Sequence, residues 1–272
     1  MLAIPWYFAK HLNAASTFSI IYSLATFATL FWGLYAGTLI DRFPRKNIFL
    51  GICLLSAVVL LSVAASGFYL GETPMYAVAF VFCFTLLNYN IHYPTLYAFG
   101  QEITEKHNYS KTNSLLEVMG QSTNVLSGAM AVVLIEGVDN NLFGIPMQFN
   151  AWSIHEIFLL DGSTYILAMI LIYYIKYTPT VKNTISKEPI LVRLKEGFRY
   201  LKENPLLFHF GNASYTVFIF VLISTHLLWP SYISQHLQAE GDIYATTKVH
   251  YALGALFAGF FINKLFKNKS TV

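Results

Sequence analysis

Long apolar runs alternate with short polar gaps from one end of the chain to the other. Seven runs, at about 17–39, 47–68, 75–97, 113–136, 154–176, 206–229 and 244–263, are long enough for transmembrane helices. A helix needs ~20 mostly apolar residues to cross a hydrocarbon core. Residues 1–9 read as the last turns of a further span, with Pro5, Trp6 and Tyr7 at its water interface, where aromatic rings are favoured. The gaps read as loops. Residues 40–46 are short and charged, 69–74 have turn composition, 98–112 are polar, and 137–153 carry Gly137, Asp139, Asn140, Asn141, Gly144 and Pro146. In the longest gap, 177–205, Ile190, Leu191, Leu194, Phe198 and Leu201 recur at helical spacing among charged residues, which predicts a short amphipathic helix.

Composition agrees: 56% of residues are hydrophobic and 11% charged, against about 25% charged in a soluble domain. The distribution of charge adds sidedness. When the gaps are numbered alternately, every Lys and Arg except Lys10 and Lys248 falls on one side, together with the 40–46 loop. Cationic loops stay cytoplasmic, and a wrong span count would scramble the alternation. Trp6, Trp152 and Trp229 fall near the outer ends of spans, as an aromatic belt places them. The basic residues lie in alternating loops rather than on one face, which speaks against nucleic-acid binding. Cys53 and Cys83 lie inside apolar runs. No metal-ligand spacing, no disulfide framework and no cofactor motif is present, and the first residues lack the pattern of a cleavable signal peptide.

One loop resembles a known family. Gly37-Thr-Leu39-Ile-Asp41-Arg42-Phe-Pro44-Arg45-Lys46 is similar to G-x-L-x-D-R-x-G-R-K, the signature between the second and third spans of the major facilitator superfamily. It departs at Pro44, where the family usually has glycine. Arg193 to Pro205 resembles the segment before the seventh span in drug- and siderophore-exporter-like members. Gln101-Glu102-Ile103 with Thr112-Asn113-Ser114-Leu115 resembles their loop between spans four and five.

The resemblance implies an all-α membrane protein, a helical bundle of the twelve-span type. It covers the end of span 1 through span 8: an N-terminal six-helix half at 1–177, nearly complete, a central cytoplasmic loop at 178–205, and the first two helices of the second half at 206–272. On this reading the chain is a fragment of such a transporter. The resemblance also implies that Gly37, Asp41, Arg42, Arg45 and Lys46 form a conformational-switch loop, with Asp41 capping a helix of the other half. Gly33 and Gly37 form a small-xxx-small step that permits close helix approach.

Ionisable and polar groups inside spans are costly, so they are candidates for function. Glu117, Gln121 and Asn124 fall at i, i+4 and i+7 on one face of their span. They line a substrate cavity, or Glu117 is simply near enough to the interface to stay wet. Asn88, Asn90 and His92 cluster beside Pro94, either lining that cavity or bonding carbonyls freed by the proline. Asp161 and Glu117 are the candidates for proton coupling, although a structural role for Asp161 is the blander alternative. His209 and His226 read as interfacial. Two features of many drug/proton antiporters are missing: an arginine in the span at 75–97, and a Gly-Pro pair in the next, where Ala129 follows Gly128.

The expected function is transport of a small solute, outward, by alternating access in the bacterial inner (plasma) membrane, with a proton as coupling ion. The partners are the solute and the lipid bilayer. The competing readings are a non-transporting remnant and a membrane-embedded enzyme. The second of these lacks any H-x-x-x-D, H-E-x-x-H or G-x-S-x-G.

Overall fold

In lipid a backbone N–H or C=O has no water to bond, and a helix satisfies both within one segment. The apolar runs accordingly form helices. The computed structural model describes residues 3–139, 148–177 and 190–239, with individual residues between 241 and 257. Helix α1 (Ala3–Trp6) continues as a π-helical turn, Tyr7–His11. There follow α2 (Ala15–Arg42), α3 (Arg45–Leu70), α4 (Met75–Glu102), α5 (Tyr109–Glu136), α6 (Ile154–Tyr174), α7 (Ile190–Glu203) and α8 (Pro205–Ile223). Beyond α8 the chain stays helical to His236 through π turns at Ser224–Leu228 and Tyr232–His236, with α9 (Trp229–Ser231) between them. Among the described residues, six helices are long and apolar enough to cross a membrane. The run at 244–263 lies where only individual residues are described.

Several helices extend past their apolar runs, because hydrogen bonding continues into the polar interface where hydrophobicity ends. Local chemistry sets the limits. Pro44 immediately precedes α3 and holds Phe43 extended at φ −114°, ψ 151°. Gly71, at φ +78°, closes α3 in the left-handed conformation that glycine adopts without steric cost. Before α6, the Glu156 carboxylate accepts both the backbone N–H (2.7 Å) and the hydroxyl (2.8 Å) of Ser153, a capping box. The 137–153 gap is closed at its base by a two-residue antiparallel pair, Val138–Asp139 with Gln148–Phe149. Asn140, Asn141, Gly144 and Pro146 lie outside the described residues.

Helix ends that the charge alternation predicts on one side do meet. At the basic end, α3 and α6 are joined through Lys46. At the far end, Glu136 of α5 meets Trp6, Lys10 and His11. The main core fills the far half of the bundle, where Trp6, Phe8, Phe18, Tyr22, Val78, Phe82 and Phe158 are buried together with Ile233 and Tyr244. A smaller cluster, Ala36, Ile40, Ile48, Ile52 and Ile91, lies toward the basic end. No residue of α8 is buried. Among the described residues, the segment after α8 thus joins the main core through Ile233 and Tyr244.

Candidate functional site

At the basic end, Arg45 begins α3 and its guanidinium stands 3.1 Å from the Glu102 carboxylate at the end of α4, both side chains largely buried. The Arg45 Nε is buried without a hydrogen-bond partner among the described residues, so charge more than hydrogen bonding carries this contact. The Tyr177 hydroxyl donates to Glu102 from the other side. Burial and that hydrogen bond push the Tyr177 phenol up to about 12. Lys46 donates to two carbonyls at the end of α6, Tyr173 (2.8 Å) and Ile175 (2.7 Å). A cation is well placed there, because the last carbonyls of a helix are unbonded and carry its negative dipole end. Arg45 and Lys46 of the signature loop thus bind the ends of α4 and α6. Arg42 is exposed and stands over the Phe43 ring at 5.6 Å. Gly37 is also exposed, and a Cβ there or at Gly33 would meet nothing within 4 Å, so the close helix approach expected at this pair is not made among the described residues. The Asp41 side chain lies outside what the structure describes.

Inside the span, Glu117 of α5 accepts a hydrogen bond from the Tyr97 hydroxyl of α4 (2.7 Å) and another from the Gln121 amide (2.9 Å). The carboxylate is exposed on the helix surface. Tyr97 continues a ladder on α4 in which Tyr89 and Tyr93 stack at 5.3 Å and 18°. Tyr93 is within electrostatic reach of Glu117, and Tyr89 within reach of Asp161 on α6. Tyr89 and Tyr93 thus lie within electrostatic range of the two ionisable candidates, Asp161 and Glu117. Asn124 lies exposed further along α5.

The cluster expected around Pro94 divides. Asn88 donates to Ser56 of α3 (2.7 Å), and His92 packs edge-on to Phe49 of α3 at 5.5 Å. Both fasten α4 to α3. Asn90 falls on the line of Tyr97, seven residues on, and its amide bonds back to the Leu86 carbonyl at 3.0 Å. That carbonyl is not the one Pro94 frees, which belongs to Asn90 itself. His226 stands against Tyr22 at 5.6 Å and Phe82 at 6.5 Å, inside the aromatic core rather than at a water interface. Tyr97 and the far-end Glu136 were not singled out by the sequence reading. The i, i+4, i+8 spacing of Tyr89, Tyr93 and Tyr97 was the available signal for the first.

The model of the Major Facilitator Superfamily matches residues 1–271. The chain is 22% identical over 268 residues to macrolide efflux protein A of Streptococcus pyogenes, covering 98% of this chain and 62% of that protein. Macrolide efflux protein A of Enterococcus faecalis is 22% identical over 233 residues, covering 85% of this chain and 67% of the relative. The chain thus spans 62% of the length of the streptococcal relative. No solved structure matches it.

Proposed function

The chain belongs to the Major Facilitator Superfamily, a family of transporters rather than enzymes, and from that premise we propose that it takes part in export of a small amphiphilic solute across a bacterial plasma membrane. The observation that carries this reading is Glu117, a carboxylate within a membrane-spanning helix, held by Tyr97 and Gln121 and left exposed. A charge so placed costs several kcal/mol in lipid, and such groups face a cavity or pathway. The names of the relatives favour macrolides as the first solutes to try.

In this reading Glu117, Gln121, Asn124 and Asn90 line the cavity. Asn88 and His92 shape its wall by holding α4 on α3. At the far end the aromatic core joins the first helices to the segment after α8, and the two parts rock about that contact in an alternating-access cycle. Gly37, Asp41, Arg42, Arg45 and Lys46 form the switch loop. Residues 1–177 and 206–272 act as the two moving parts, joined by 178–205. A proton is the coupling ion, taken up at Asp161 or Glu117.

The test is accumulation of a radiolabelled macrolide in a pump-deficient bacterium expressing the chain. The expectation is lower accumulation than in the vector control, restored by Glu117→Gln and by a protonophore, and raised by Asp41→Ala. Accumulation equal to the control overturns the reading.

A further inference from the structure

The short helix α7 carries three parallel stripes. Leu194-Lys195-Glu196 recurs one heptad later as Leu201-Lys202-Glu203, with Phe198-Arg199 between them. Successive residues of a helix lie ~100° apart around its axis. By register, Leu194, Phe198 and Leu201 form an apolar stripe, and Lys195, Arg199 and Lys202 form a cationic stripe beside it. Glu196 and Glu203 fall almost opposite the apolar one. Phe198 is 70% exposed, and Lys195, Arg199 and Lys202 are exposed with it. A Cβ at the adjoining Gly197 would meet nothing within 4 Å. Among the described residues the three cations form no ion pair.

The joint to α8 decides what lies against this face. Asn204 alone separates Glu203, the end of α7, from Pro205, the first residue of a helix long and apolar enough to span a membrane. The Asn204 backbone N–H donates to the Tyr200 carbonyl (3.0 Å), and its side-chain amide donates to the same carbonyl (2.8 Å). Its own carbonyl accepts the Phe208 N–H (3.2 Å). The end of α7 is therefore tied within one residue of the bilayer, on the side that the charge alternation assigns to the cytoplasm. A helix lying in a membrane interface turns its apolar stripe to the acyl chains and its basic residues to anionic headgroups. Cations flanking the apolar stripe then stand level with lipid phosphates, and carboxylates on the opposite side avoid them. Water alone would leave Phe198 unburied, and a covering protein surface has no need of acids and bases sorted in this way. We infer that α7 lies in the surface of the cytoplasmic leaflet and binds anionic lipid headgroups through Lys195, Arg199 and Lys202, with Phe198 and Leu201 against the acyl chains. The anionic surface attracts each of these cations. A zwitterionic surface offers them no net charge, so it holds the helix less firmly. The identity of the exported solute does not enter this inference.

Spin labels on the full chain, reconstituted in lipid nanodiscs, test this without requiring transport. A nitroxide is attached at Phe198→Cys or at Glu196→Cys in a Cys53→Ala, Cys83→Ala background. Its accessibility is measured to oxygen, which concentrates among acyl chains, and to a water-soluble nickel chelate. In phosphatidylcholine mixed with phosphatidylglycerol, the label replacing Phe198 is expected to be open to oxygen and shielded from nickel, and the label replacing Glu196 the reverse. In phosphatidylcholine alone, nickel access at the Phe198 position should rise several-fold. Lys195→Gln, Arg199→Gln and Lys202→Gln together should produce the same rise in the anionic bilayer. High salt should do so as well, because it screens exposed charges, and the salt arm carries the test if the triple variant does not elute as the folded species. Glycerol phosphate added to the phosphatidylcholine discs should not restore shielding; restoration would make a free phosphate the ligand and overturn the inference. Shielding of the Phe198 position from both probes would show a protein surface covering the face. Nickel access there in both bilayers would leave α7 in water. Equal shielding in both bilayers, or shielding that neither salt nor the triple variant removes, would take headgroup charge out of the contact. Each of these results overturns the inference.

Discussion

Trp6 is fully buried, and its indole N–H donates at 2.6 Å to the Glu136 carboxylate. Lys10 stands 3.3 Å from the same carboxylate and His11 3.1 Å. The indole bond is partly buried and directed to a charged group, where such a bond contributes about 1.5–3 kcal/mol. The Lys10 side chain is a third exposed, and a pair of that kind contributes at most about 1 kcal/mol. Trp6→Phe is therefore expected to lower the melting temperature in detergent clearly more than Lys10→Ala; equal shifts would show that the indole bond adds nothing. At the basic end, Tyr177 is held neutral by burial and by donation to Glu102, up to about 12. A raised phenol stabilises the fold fully below its ordinary value near 10 and loses that contribution as pH climbs toward 12. Melting curves of the native protein should fall more steeply across that window than those of Tyr177→Phe.

Among the described residues, α3 and α6 pack most extensively against each other, and glycine permits it. A Cβ at Gly162 would meet Leu61 Cγ at 2.9 Å and Leu60 Cβ at 3.3 Å; at Gly67 it would meet His155 Cβ at 2.5 Å. Small residues let helices approach in lipid, where apolar burial against a neighbour gains little over burial against lipid tails. Gly162→Val forces that pair apart at a cost of about 1–3 kcal/mol, seen as a lower unfolding temperature. Gly33→Ala meets nothing and should leave the unfolding temperature level or slightly raised, since alanine favours helix over glycine. A large loss at Gly33 would place a partner helix against that face. The two helices are also tied at the basic end by Lys46, so the pair is fixed at both membrane interfaces.

At the scale of the whole molecule, the alternation of cationic gaps predicts that Lys195 of α7 stays inside the cell. A cysteine placed there should react with a membrane-impermeant maleimide only after permeabilisation, and labelling of intact cells would reverse the assigned sidedness. The same alternation explains why so much was legible in advance. An apolar run long enough to span has one stable solution, a helix, and α2 to α6, α8 and the amphipathic α7 follow from pattern alone. Which faces meet was not legible, because these helices are apolar nearly all round and carry no stripe that marks an inner side. Asn88, Asn90 and His92 looked alike in the sequence, yet packing turned two of them onto α3 and one toward the side of Tyr97.

The six described spans and their order were thus written in hydropathy, which acts on each segment separately and needs no neighbour; charge adds the expected sidedness. The pairing of Glu117 with Tyr97, of Arg45 with Glu102 and of Glu136 with Trp6 joins residues far apart in the chain. It depended on how helices rotate and pack, which van der Waals fit and interhelical hydrogen bonds decide only once the segments lie side by side.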